Sequence, residues 1–156
     1  MITFDIPGYG QLALSHLVLD FNGTLACDGV LHEGVKLQLR ELAKLLTIHV
    51  VTGNTFGTAS AELHDVPCQV ILLQSEGQAA AKRGLVQQIG ANLTVAIGNG
   101  LNDTQMMQAA TLAIAVIGEE GAAFETLAVA DVVTRDIHAA LGLLQHRKRL
   151  VATLRS

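Results

Sequence analysis

Short runs rich in β-branched residues alternate with longer stretches of helical spacing from residue 17 to the end of the chain. Short apolar runs predict strands, and apolar residues three and four positions apart predict helices. Strands are predicted at 17–21, 48–52, 69–73, 94–98, 113–117 and 131–134. Helices are predicted at 33–46, 56–63, 78–89, 103–110 and 121–127, with one or two more from 135 to about 154. This alternation is typical of a three-layer α/β fold, in which helices cover both faces of a mostly parallel sheet.

Residues 1–15 depart from this alternation. Ile2, Phe4 and Ile6 alternate with polar residues, and Pro7-Gly8-Tyr9-Gly10 is a turn signal. We interpret this segment as a hairpin or as an added edge strand. The chain shows no linker and no change of composition, so residues 1–156 are expected to form one domain.

The composition limits the classes of partner and location. Half of the residues are hydrophobic but only 3% are aromatic, so the core must be aliphatic. A formal net charge of −4 gives no electrostatic reason to expect nucleic acid or an anionic membrane surface. Two cysteines, Cys27 and Cys68, make neither a disulfide framework nor a zinc site. Without a signal-peptide pattern or a membrane-length apolar run, we expect a cytoplasmic protein.

Polar residues follow the predicted strands at their carboxyl ends. Asp20 ends the first strand, Thr52 ends the second, Lys82 lies in the helix after the third, and Asp103 follows the fourth. Since parallel strands open on one crevice at these ends, we expect the four side chains to converge. A carboxylate, a hydroxyl, an ammonium and a second acidic group suit phosphoryl transfer assisted by a hard cation.

Four segments follow one another in the order Asp20-Phe21-Asn22-Gly23-Thr24-Leu25, Thr52, Lys82 and Gly98-Asn99-Gly100-Leu101-Asn102-Asp103. In this order they resemble the motifs of the haloacid dehalogenase (HAD) superfamily, and in particular its small soluble P-type-ATPase-like members. The order and spacing hold from about residue 17 to 131, which is most of the chain. The resemblance implies a HAD-like Rossmannoid fold. A dinucleotide site at Gly98-Asn99-Gly100 is disfavoured because the third glycine of that fingerprint is absent.

The resemblance also implies roles for single residues. Asp20 would be the nucleophile that forms an aspartyl-phosphate. The catalytic set would be Asp20, Thr52, Lys82 and Asn22. The phosphate-binding set would be Thr52, Gly53, Lys82 and Asn102. Mg²⁺ would be held by Asp20, Asn22 through its backbone carbonyl, Asn99 and Asp103, which are oxygen ligands of the kind that this ion prefers.

Three positions that are often acidic in the family carry amides here, namely Asn22, Asn54 and Asn99. Asn22 stands where the family keeps its general acid–base, a step worth about 10²–10⁴-fold. The expected function is therefore a slow Mg²⁺-dependent phosphohydrolase or phosphotransferase. The alternative is a non-catalytic phosphate-binding or scaffold module, with a P-type ATPase as a further candidate partner. Taken alone, Asp20 could cap a turn and Lys82 could lie on a solvated helix face.

Neither interval between the motifs can hold the cap domain that many family members carry. Residues 23–52 leave room for a flap-like turn and one helix, and residues 52–82 for one short helix and one strand. Family members without a cap often form oligomers or act on large substrates. We therefore expect a phosphorylated small molecule or a phosphoprotein as the partner, and a homo-oligomer as the assembly.

Overall fold

The central sheet of the protein consists of six parallel strands, as shown by a computed structural model that describes residues 1–53 and 55–156. The strands in chain order are β1 Ile2–Ile6, β2 Gly10–Leu14, β3 His16–Asp20, β4 Ala26–Cys27, β5 Val30–Leu31, β6 Thr47–Thr52, β7 Gln69–Leu72, β8 Thr94–Gly98, β9 Leu112–Val116 and β10 Val132–Thr134. The helices are α1 Val35–Ala43, α2 Ala59–Glu62, α3 Gln78–Ile89, α4 Thr104–Ala109, α5 Phe124–Val129, α6 Ile137–Gln145 and α7 Arg147–Leu154. Two 3₁₀ turns, Ala91–Leu93 and Leu101–Asp103, precede β8 and α4.

The strand order of the sheet is β10-β9-β8-β3-β6-β7. The chain first builds outward from β3 through β6 to β7, and then returns to the other side of β3 to place β8, β9 and β10. The strand order therefore switches at β3, and a crevice opens at the carboxyl ends of β3 and its neighbours. Asp20 lies in register with Val51 of β6, and Leu19 lies in register with Ile97 of β8.

The two faces of the sheet bury side chains of different size. Leu17 and Leu19 of β3 face the larger apolar cluster, which also contains residues of α1, α6 and α7. Val18 faces the smaller cluster, together with Ala96 and Ala113, beneath α3 and α4. The alanines leave room for α3 and α4 on that face of the sheet. The predicted α/β class, with a parallel sheet and helices on both faces, is confirmed.

Strands β1 and β2 form an antiparallel hairpin, which is a two-stranded sheet separate from the parallel one. Ile2, Phe4 and Ile6 are buried and belong to the larger apolar cluster, as does Leu150 of α7. Ser15 links the hairpin to the amino end of β3. The alternating pattern of residues 1–15 thus covers apolar surface but adds no strand to the central sheet.

Three predicted helices are shorter than expected at their amino ends. The helix predicted at 33–46 begins at Val35, the one at 56–63 begins at Ala59, and the one at 121–127 begins at Phe124. In each case a glycine with positive φ interrupts the predicted stretch, and these residues are Gly34, Gly57 and Gly121. A left-handed residue cannot continue a right-handed helix, so the regular helix starts after it.

The intervals between the motifs contain only small elements. Between β3 and β6 lie the β4–β5 hairpin and α1, and between β6 and β7 lies α2. The described residues therefore include no cap domain. Among these residues, no helix combines the length and the apolar character that crossing a bilayer requires.

Candidate active site

Three charged side chains meet in the buried crevice at the carboxyl end of β3. Nζ of Lys82 lies 2.6 Å from Oδ1 of Asp20 and 2.6 Å from Oδ1 of Asp103. Lys82 and Asp103 have 0% exposure and Asp20 has 7%. The three residues come from β3, α3 and the loop after β8, so the predicted convergence of these side chains is observed.

The loop after β8 turns so that Asp103 points back toward the strand. Oδ2 of Asp103 accepts hydrogen bonds from the backbone N–H groups of Asn99, at 3.0 Å, and Gly100, at 2.9 Å. A Cβ at Gly98 would lie 2.5 Å from this oxygen, so a glycine is needed for the close approach. Because two backbone N–H groups donate to Oδ2, the other carboxylate oxygen of Asp103, Oδ1, is the one that accepts from Lys82.

Burial and charge act in opposite directions on this cluster. Burial, together with the nearby Asp103 carboxylate, raises the pKa of Asp20 to about 7, although Lys82 partly offsets the shift. Burial alone would lower the pKa of Lys82, but the two carboxylates outweigh it and the pKa is raised. With both carboxylates ionised, the cluster carries a net charge of −1, which favours the addition of a cation.

Side chains join the loop after β3 to the loop after β8. Gly23 has a φ of 82°, and a Cβ at this position would lie 2.4 Å from Nδ2 of Asn99. The hydroxyl of Thr24 donates to Oδ1 of Asn99 at 3.2 Å, and Nδ2 of Asn99 donates to the carbonyl oxygen of Gly121 at 3.0 Å. Both polar atoms of the Asn99 amide are therefore engaged with protein groups.

Asn22 contributes a polar atom that has no hydrogen-bond partner among the described residues. Its side-chain Oδ1 is buried, and no described residue donates a hydrogen bond to it. An unpaired buried oxygen costs free energy unless a water, an ion or a ligand satisfies it. This atom lies on the loop that directly follows Asp20.

The second predicted motif lies beside the first. Thr52 ends β6 one residue after Val51, the register partner of Asp20, and it is buried. A Cβ at Gly53 would lie 2.4 Å from Nε2 of Gln78, so the glutamine amide rests against this glycine. The other predicted position of this loop, Asn54, lies outside the described residues.

The sequence interpretation gave no role to Thr24, although it lies in the first motif, and it missed two further residues beside the cluster, Gln78 and Thr126. Oε1 of Gln78 accepts a hydrogen bond from Nδ2 of Asn102 at 3.0 Å, and Thr126 donates to the carbonyl oxygen of Gly100 at 2.7 Å. Gln78 lies four residues before Lys82, and this spacing on one helix face could have identified it. Thr126 lies in a short apolar helix and gives no comparable signal.

The sequence is similar to two curated proteins over part of its length. An uncharacterized protein of Methanocaldococcus jannaschii is 49% identical over 61 residues, which are 39% of this chain and 66% of that protein. A phospholipid-transporting ATPase of Caenorhabditis elegans is 34% identical over 77 residues, which are 47% of this chain and 6% of the transporter. The match thus spans slightly less than two thirds of the first relative and a small part of the second. No protein-family model matches the chain.

Solved structures with a similar fold cover nearly the whole chain. The 3-deoxy-D-manno-octulosonate 8-phosphate phosphatase from Moraxella catarrhalis, in complex with magnesium, phosphate and KDO, has a TM-score of 0.71 and 18% identity, covering 91% of this chain and 94% of that one. A structure from Streptomyces avermitilis described as a HAD family hydrolase has a TM-score of 0.66 and 21% identity, covering 84% and 90%. The chain therefore shares its fold with these phosphatase and HAD family hydrolase structures, and its described residues include no cap domain.

Proposed function

We propose that this protein is a slow Mg²⁺-dependent phosphohydrolase or phosphotransferase that acts on phosphate monoesters through an aspartyl-phosphate at Asp20. The observation that carries the proposal is the buried cluster of Asp20, Lys82 and Asp103, with both carboxylates 2.6 Å from one ammonium. Groups of opposite charge in a water-excluded crevice can stabilise the charge that develops during phosphoryl transfer.

The donors of the cluster fit Mg²⁺, which prefers oxygen ligands. Oδ1 of Asp20 and Oδ1 of Asp103 can be no farther apart than twice their 2.6 Å distance to Lys82, so a small adjustment would let them share one ion. Asn22 would contribute its backbone carbonyl, and its side-chain Oδ1, which has no partner among residues 1–53 and 55–156, lies on the same loop. Asn99 retains a second lone pair on the oxygen that Thr24 contacts. When bound, Mg²⁺ would neutralise negative charge on the phosphoryl oxygens.

In the proposed reaction, an oxygen of Asp20 forms a bond to phosphorus while the bond from phosphorus to the leaving oxygen breaks. Lys82 donates hydrogen bonds to the phosphoryl oxygens, and Thr52 and Gly53 line the phosphate-binding site beside it. The nucleophile must be ionised, and a cation near both carboxylates would lower the pKa of Asp20 from about 7. Water then attacks phosphorus, the bond between phosphorus and the Asp20 oxygen breaks, and inorganic phosphate leaves while Asp20 returns to the free carboxylate.

Turnover is slow in this proposal because Asn22 has no proton to give to the leaving oxygen. The leaving oxygen must take its proton from water, and the water that cleaves the aspartyl-phosphate has no carboxylate base at this position. The missing acid–base catalysis is worth about 10²–10⁴-fold.

The test compares Asp20→Asn with wild type, using p-nitrophenyl phosphate and a panel of metabolite phosphates with and without Mg²⁺. Asp5→Asn is the matched control, because it makes the same change at an exposed position of the N-terminal hairpin. We expect Asp20→Asn to reduce kcat at least about a thousandfold and to prevent phosphorylation of the intact protein, as detected by mass spectrometry. Undiminished turnover in Asp20→Asn would contradict the proposal.

A second candidate function is a phosphate-responsive module without turnover. It is favoured by Asn99, whose amide is bound to Thr24 and Gly121 and is therefore less available to a metal ion. This function predicts Mg²⁺-dependent binding of inorganic phosphate, measured by calorimetry, with no phosphorylated protein and no product. A homo-oligomer, a P-type ATPase partner and a cytoplasmic location stay predictions.

A further inference from the structure

Gln78 shares a helix face with Lys82. It is the first residue of α3, and Lys82 follows four residues later, so the two side chains lie one above the other. Helix α3 follows β7, which places its amino end near the carboxyl ends of the parallel strands. Gln78 therefore lies beside the crevice, one helical turn from the ammonium that bridges Asp20 and Asp103.

The amide of Gln78 contacts two loops of the proposed phosphate site at once. Its Oε1 accepts a hydrogen bond from Nδ2 of Asn102 at 3.0 Å. Its Nε2 lies against Gly53, where an added Cβ would be only 2.4 Å away. Since Asn102 binds the oxygen, the amino group is the end of the amide that faces the loop of Thr52 and Gly53.

We propose that Gln78 is a further phosphate-binding residue of this site, whose Nε2 donates a hydrogen bond to the phosphoryl group held beside Thr52 and Gly53. The inference rests on the proposed function, because it requires a phosphoryl group at this loop. A carboxamide provides a donor without adding charge, so it orients the phosphoryl oxygens while Lys82 and the metal ion balance their charge.

The test uses two substitutions that separate substrate binding from a structural role. Gln78→Ala removes both the donor and the acceptor. Gln78→Glu keeps an oxygen that accepts from Asn102, but it replaces the donor with a negative charge beside the phosphate. The matched control is Gln88→Glu, which adds the same charge at an exposed position of the same helix.

The measurement is the Kd for inorganic phosphate in the presence of Mg²⁺, by calorimetry, on the full chain. We expect Gln78→Ala to raise this Kd about tenfold or more, because a hydrogen bond to a charged group is lost. Gln78→Glu should raise it further, and Gln88→Glu should match wild type. Wild-type phosphate affinity in Gln78→Glu would overturn the inference, since a residue that only supports Asn102 would tolerate this change.

The outcome is separable from the test of Asp20, since phosphate binding requires no nucleophile. If Asp20→Asn loses turnover while Gln78→Glu binds phosphate as wild type does, only the role of Gln78 is overturned. If Asp20→Asn retains full turnover, the proposed mechanism is overturned whatever the affinity of the Gln78 variants. If wild type binds no phosphate, both are overturned.

Discussion

At the scale of single residues, Asp103 uses its two carboxylate oxygens differently. Oδ2 is held by two backbone N–H groups, and Oδ1 faces Lys82. Burying two carboxylates and an ammonium together costs desolvation free energy that their attraction offsets only in good geometry. Well-packed apolar residues in place of buried ion pairs often give equal or greater stability, so the cluster is better explained by chemistry than by stability.

Asn22 is the residue at which the proposed chemistry is weakest, and Asn22→Asp should increase activity. The new carboxyl group would protonate the leaving oxygen and then activate water, so we expect kcat to rise by about 100-fold or more for an alkyl phosphate. The increase should be smaller for p-nitrophenyl phosphate, whose leaving group needs no proton. Steady-state kinetics with both substrates would measure the difference.

The matched control for Asn22→Asp is Asn92→Asp, the same amide-to-acid change at an exposed position before β8. Its kcat should equal that of wild type. Equal activities of the Asn22→Asp variant and wild type, with Mg²⁺ present, would indicate that another step limits turnover.

At the scale of secondary-structure elements, the strands were predicted more accurately than the helix starts. The predicted strand at 17–21 is observed at His16–Asp20, because a short apolar run is typical of a buried parallel strand. Helix starts depended on the backbone angles of glycines such as Gly57, which are not visible in hydrophobic spacing. The meeting of Asp20 and Asp103 was predictable because both lie at or after strand ends, whereas Lys82, inside α3, was singled out only by its place in the order of the motifs. For Gln78 the only sequence signal was its spacing to Lys82, since its contacts with Gly53 and Asn102 join separate loops and are not visible in the sequence.

Strands β3 and β6 also bring together two histidines away from the site. Nε2 of His49 lies 3.3 Å from Nδ1 of His16, and His49 is buried. Burial, followed by the proximity of His16, lowers the pKa of His49 below 6.5, although Gln69 partly opposes the shift. The unfolded chain therefore binds a proton at His49 more readily than the folded chain does.

The preference of the folded chain for neutral His49 therefore makes stability depend on pH. The contribution of His49 to the free energy of unfolding is fully present above about pH 6.5, and it is lost as the pH falls through the lower pKa that His49 has in the folded chain. We expect the free energy of unfolding in urea to decrease with acidification over this window in wild type. The decrease should be smaller in His49→Gln, and His146→Gln, at an exposed position, should behave as wild type. Identical acid dependence in wild type and His49→Gln would contradict this account.

At the scale of the whole molecule, the charged cluster and the N-terminal hairpin lie at different ends of the central sheet. The charged cluster lies at the carboxyl ends of the strands, whereas the β1–β2 hairpin joins the sheet at the amino end of β3. The hairpin buries Phe4 against the larger apolar cluster, which also contains residues of α1, α6 and α7.

Phe4→Ala should therefore destabilise the fold without changing the site. Removing a ring that is 4% exposed should lower the free energy of unfolding by about 3–5 kcal/mol, through lost burial and the cavity left behind. Thr3→Ala, at the exposed neighbouring position, should change it by less than about 0.5 kcal/mol. Below its unfolding temperature, Phe4→Ala should bind phosphate with wild-type Kd. Equal stabilities of the two variants would show that the hairpin is not part of the cooperative core, and a changed Kd would show that the hairpin and the site are coupled.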